Sequence, residues 1–114
     1  MGVTGIGGLF FRSRDPKALA VWYQDRLGIT KGAWEQQAGT TAFSPFANDT
    51  DYFPPDRQWM LNLRVEGLDA LIVTLEAAGI AVERRDEWNS TDYGCFARLH
   101  DPEGNPIELW EPAG

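Results

Sequence analysis

One cysteine and one histidine stand in the whole of this 114-residue chain, and each scarcity excludes something. Cys95 has no partner, so no internal disulfide forms. His100 is alone, so a histidine-rich catalytic or metal site is excluded. Basic residues are also few: 10 Lys and Arg against 17 Asp and Glu leave a formal charge of −7. That balance argues against nucleic-acid binding, which needs a basic stripe, and against electrostatic docking to an anionic membrane. No run of about 18 apolar residues exists to span a bilayer. No basic segment followed by an apolar one marks a secretory signal near the N-terminus. The expectation is an acidic cytoplasmic domain, long enough to bury a core without staples.

What is present is a faint internal repeat at an offset of 52 residues. Arg12, Ala18, Leu19 and Val21 match Arg64, Ala70, Leu71 and Val73. In each copy an alternating segment (8–14 or 59–65) runs into a helical pattern that stops at Gly28 or Gly79, followed by isoleucine. The first helix starts at Asp15, an N-cap, with Pro16 in the first turn. Its apolar stripe is Leu19, Trp22, Tyr23 and Leu27. The second starts near Gly67 or Leu68, with a stripe of Leu68, Leu71, Ile72 and Leu75. Further strands are predicted over 29–36 and 40–46, then 81–85, 93–100 and 107–110. Asp101-Pro102-Glu103-Gly104-Asn105 is a dense turn signal.

The reading is α+β: paired βαβββ modules forming a curved mixed sheet with a concave cup. The first module covers about 5–46, a linker rich in Asp, Asn and Pro covers 47–57, and the second module covers about 58–112. The linker also carries Tyr52 and Phe53 and reads as a crossover or a flap. Neither half offers a large core alone, so the two are expected to pack together.

Alternation sorts the side chains into two faces. Leu9 and Phe11, Leu61 and Leu63, Cys95, Ala97 and Leu99, and Ile107 and Leu109 form the rows assigned to the helices. The opposite rows place Phe10, Arg12, Met60, Asn62, Arg64, Phe96, Arg98, Glu108 and Trp110 around a cup. Apolar walls with a few polar groups suit a small-molecule pocket. The plainer alternative is a sheet face that meets water or a second subunit.

The segment His100-Asp101-Pro102-Glu103-Gly104-Asn105-Pro106-Ile107-Glu108-Leu109-Trp110 resembles the closing D-P-x-G-x-x-x-E-L stretch of the vicinal oxygen chelate superfamily, also called the glyoxalase/bleomycin resistance/dioxygenase superfamily. Arg14-Asp15-Pro16, Trp22-Tyr23 and Leu27-Gly28 resemble its opening strand and helix. The resemblance implies a glyoxalase/bleomycin resistance/dioxygenase-like fold and, by the habit of that family, a homodimer. It also implies where metal ligands would stand. Those positions fall on Gly8, on Met60, and near Phe43, Ser44 and Pro45; only Glu108 keeps a ligand-type side chain. One carboxylate cannot make a site of three or four ligands. No metal and no other cofactor are therefore expected.

Glu108 either contacts a ligand or moves a proton, or else pairs with Arg12, Arg64 or Arg98. His100, beside the turn, is a weaker candidate for a base than for a turn-supporting residue. The strand arginines suit a carboxylate or phosphate, or the protein's own excess carboxylates. Trp34, Trp88, Tyr93 and Trp110 are available as flat walls. Cys95 has no neighbouring histidine to activate it and reads as an inert thiol. Gly5, Gly7 and Gly8 do not complete a dinucleotide loop. The leading reading is a protein that binds a small apolar or aromatic molecule without metal. The alternatives are a lyase, isomerase or related enzyme using Glu108, and a protein interaction domain.

Overall fold

The computed structural model describes residues 1–114. Helix α1, Pro16–Leu27, forms where the sequence signals place it. Asp15 accepts a hydrogen bond from the Ala18 amide, Pro16 fills the first turn, and Gly28 ends the helix at φ 71°. That left-handed angle is nearly free of strain for glycine alone. Leu19 and Tyr23 are buried, while Trp22 and Leu27 pack beside them. Helix α2, Leu68–Ala77, begins 52 residues after α1 and buries Leu68, Ile72 and Leu75. The helical part of the repeat is therefore real structure. No helix is long and apolar enough to cross a membrane.

Three strands form the sheet: β1, Leu61–Arg64; β2, Gly94–His100; and β3, Pro106–Pro112. The order is β1-β3-β2, with β3 parallel to β1 and antiparallel to β2. The curved, unclosed mixed sheet with helices against one face is the α+β arrangement expected from the sequence. Ala97, Leu99, Ile107 and Leu109 face the helices and are almost wholly buried. At about 25 cal/mol per Å² of apolar surface, such positions supply most of the fold's stabilisation. Gly94 begins β2 at φ 116°, and a Cβ there would strike the Glu111 carbonyl, so the start of this strand requires glycine.

The Asp101–Asn105 turn joins β2 to β3 and also fastens the first half of the chain. Asp101 is buried and accepts hydrogen bonds from the Glu103 amide (2.9 Å), the Asn105 amide (3.0 Å), the Asn105 side chain (2.7 Å) and the Tyr23 hydroxyl (2.7 Å). Burial, together with the Asp101 carboxylate, raises the Tyr23 phenol well above its ordinary range. Glu103 accepts from the Arg14 amide (2.8 Å), the Ser13 hydroxyl (2.7 Å) and the Asp15 amide (3.2 Å). The Arg14 amide, then the Ser13 hydroxyl, hold its carboxyl below the usual range. Arg57 donates to the Glu103 carbonyl and to Asn105, which fastens the end of the linker. The motif that carried the family resemblance thus ties α1, the entry segment and the linker to one hairpin.

The strands of the first half differ from expectation. Residues 8–14, 29–36 and 40–46 form no ladder, and of the 81–85 strand only an isolated bridge, Glu83 to Arg98, is present. The reason is the absence of a face to bury. Phe43 and Phe10 are 84% and 94% exposed, and residues 30–46 are exposed throughout. Alternation assigns side chains to two faces, but a strand also needs a neighbouring backbone for its N–H and C=O groups. Within one chain, the second half supplies no such neighbour to the first. From the predicted first strand, Phe11 meets Tyr23 and Trp59 edge to face.

Candidate functional site

The sheet register builds the site in rows. Asn62 lies opposite Glu108, and Glu108 opposite Arg98, so these three polar residues form one line across all three strands. Arg64, Trp110 and Phe96 form the next line. All six stand on the face away from the helices, because their neighbours Leu61, Leu63, Ala97, Leu99, Ile107 and Leu109 pack into the core.

Glu108 is buried, and both its oxygens are engaged. The Asn62 side-chain amide donates to one at 2.7 Å, and the Tyr52 hydroxyl donates to the other in a very short hydrogen bond. No arginine pairs with it: the ion pairs of the chain are Arg84 with Asp69, and Arg85 with Glu83 and Glu87. The salt bridge weighed for Glu108 from the sequence is replaced by two neutral donors. Burial, then the Glu108 hydrogen bond and charge, push the Tyr52 phenol up to about 12, against an opposing pull from Arg98. Tyr52 thus stays protonated and acts as a donor.

Arg98 is 6% exposed although it carries a full charge. One nitrogen, Nη2, donates to the Tyr52 carbonyl at 2.8 Å. The guanidinium carbon lies 5.0 Å from the Tyr52 ring centre and 5.4 Å from that of Trp88, so two π faces offset part of its desolvation. Its Nε is sealed from solvent and has no hydrogen-bond partner. Beside it opens a cavity of about 250 Å³ lined by Asp51, Tyr52, Phe53, Glu83, Arg85, Trp88, Arg98 and His100, among others.

The other expected site residues divide into three groups. Phe96 and Trp110 stack with centroids 6.2 Å apart and planes 5° apart, and the Trp110 indole donates to the Tyr93 carbonyl. Arg64 reaches the Gln37 carbonyl at 2.9 Å, and Met60 is half-buried just before β1. These stay with the cup-side rows. His100 is exposed and sits on the cavity wall at the end of β2. Phe10 and Arg12 leave the cup. Phe10 stands in solvent, and Arg12 lines a separate cleft with Ser13, Arg14, Arg57 and Glu103. Their strand forms no ladder, so nothing carries them onto the sheet face.

The linker supplies what the sequence reading underweighted. Tyr52 folds over the polar row, backed by Phe46 at 5.6 Å and facing Trp88 at 6.2 Å. The signal was two adjacent aromatics in an otherwise polar, proline-rich crossover. Glu108, the position where the resemblance would put a metal ligand, is surrounded by an amide, a protonated phenol and, across the register, a guanidinium. That donor set does not fit a divalent cation, and nowhere do three His, Cys, Asp or Glu side chains gather in ligating geometry. Cys95 is half-buried on the helix side, packed against the core.

Comparison with known proteins gives two matches. A glyoxalase-like domain family matches residues 8–110. Among solved structures, this chain is similar to TnmS3, an antibiotic binding protein from Streptomyces sp. CB03234, with 25% identity over 99% of each chain and a TM-score of 0.66. No curated protein matches the chain.

Proposed function

The chain belongs to the glyoxalase-like domain family, within the vicinal oxygen chelate superfamily, and from that premise we propose that it binds a small, largely aromatic molecule on its concave face without using a metal. The observation that carries this reading is the cup side of β1-β3-β2. It combines aromatic surface from Tyr52, Trp88, Phe96 and Trp110 with a short polar row, Asn62–Glu108–Arg98. Apolar walls with a few placed polar groups are how small-molecule sites gain both affinity and orientation. The likeness to an antibiotic-binding protein across 99% of each chain supports the same class of task.

Glu108 in this reading orients a ligand. Its carboxylate is already held by Tyr52 and Asn62, one donor on each oxygen, which suits a fixed, orienting carboxylate. A homodimer belongs to the proposal as well. The outer edge of β1 is unpaired within the chain, and Leu9, Phe10 and Phe43 stand exposed on the half that lacks a ladder. A second copy offers both with a partner, since unpaired strand edges and apolar patches mark interfaces.

Native mass spectrometry with elemental analysis of one purified sample tests these statements together. The expected result is a dimer with no stoichiometric transition metal, able to take up an aromatic ligand. One tightly bound transition metal per subunit overturns the metal-free reading. Turnover of a ligand that is abolished in Glu108→Gln, where the proposal expects a change in affinity at most, moves the protein to the enzymatic alternative.

A further inference from the structure

The cavity beside Arg98 has an electrostatic imbalance. Arg85 at its mouth is neutralised by Glu83 at 2.8 Å and approached by Glu87 at 4.0 Å. Arg98, deeper and 6% exposed, has no carboxylate partner. A buried cation without a counter-ion is costly, and π faces recover only part of that cost. The orphan Nε adds the penalty of an unmade hydrogen bond. An arginine serving only as packing would be expected to use this donor on a nearby carbonyl. The opposite strand even offers a carboxylate in register, Glu108, yet that group is committed to Tyr52 and Asn62. No ion pair joins it to Arg98.

Three features define what would satisfy it. The guanidinium fork matches the two coplanar oxygens of a carboxylate, or a single ionised oxygen at close range. The rings of Tyr52 and Trp88 flank the charge, so the body attached to that oxygen meets aromatic faces. Asp51 and Glu83 line the same cavity, and their charge disfavours a second negative group on the ligand.

We propose that the ligand of this cup is an aromatic monoanion, a carboxylate or phenolate, whose charged oxygen pairs with Arg98 between Tyr52 and Trp88. This rests on the small-molecule reading above and narrows it to a chemical class.

The test compares two probes of one shape, 2-naphthoate and the neutral 2-naphthamide, by calorimetry on the purified wild-type protein. The expected result is naphthoate binding tighter by about tenfold or more. In Arg98→Met, with its fold checked by circular dichroism, that preference is lost while naphthamide affinity stays within about twofold. Arg98→Lys, which keeps the charge but not the fork, restores part of the preference. Arg84→Met, whose arginine pairs with Asp69 outside the cavity, keeps the full preference. Equal binding of the two probes to wild type overturns the anion assignment and leaves small-molecule binding standing. A preference that survives Arg98→Met but falls in Arg85→Met overturns the role of Arg98. No binding of either probe overturns the small-molecule reading itself, and the assignment with it.

Discussion

The two halves of this chain share an element pattern but not a structure. In the second half, three of the four predicted strands become β1, β2 and β3, and Ala97, Leu99, Ile107 and Leu109 of β2 and β3 are almost fully buried. Before 47, equally alternating segments form no ladder, and α1 is the only regular element. The helix is self-sufficient in hydrogen bonds and needs only a face to bury. A strand needs a second backbone besides. The comparison teaches that a repeat in sequence carries its helices reliably, but its strands only where a partner is in reach.

The largest effect that sharpens this contrast lies in the core of the second half. Leu99→Ala, at a side chain 1% exposed, is expected to cost about 4 kcal/mol in urea unfolding. Asp101→Ala removes the acceptor that joins Tyr23 to the hairpin turn, and should cost about 3 kcal/mol. Because Tyr23 is the link to α1, Tyr23→Phe should cost about 1 kcal/mol and loosen α1 more than the sheet in hydrogen exchange. By contrast, Phe43→Ala, at 84% exposure, should change monomer stability by less than about 0.5 kcal/mol. A cost comparable to Leu99→Ala, dependent on protein concentration, would mean that a second copy covers the first half, as the proposed dimer requires.

A smaller effect concerns the linker that bridges the two regions. The Tyr52 phenol is raised from 10 to about 12. A raised pKa in the folded state contributes stability below the unfolded value, and loses it as pH climbs from about 10 towards 12. Residues 51–54 should therefore loosen over that window in exchange measurements, ahead of the sheet. Tyr52→Phe should abolish that alkaline step and leave the core strands unaffected.

Much of this was legible in the residues themselves. Asp15, Pro16 and Gly28 bound α1, and the period of two sorted β2 and β3 correctly into a helix side and a cup side. The Asp101–Asn105 turn carries its own local chemistry. Non-local choices were not legible. Phe10 and Arg12 alternate as cup residues do, yet no ladder carries them there. Tyr52 reaches Glu108 across 56 positions of chain, a contact that no local pattern encodes. The same side chain reaches Arg98, since Tyr52 both donates to Glu108 and stacks on the guanidinium.

The central claim is that the cup side of the sheet is the binding surface. Backbone-amide NMR shifts of the wild-type protein titrated with 2-naphthoate test it most directly. The account predicts saturable shifts concentrated at 51–54, 83–88 and 96–100. Shifts confined to the cleft of Arg12, Arg57 and Glu103, or no saturable shifts at all, would contradict it.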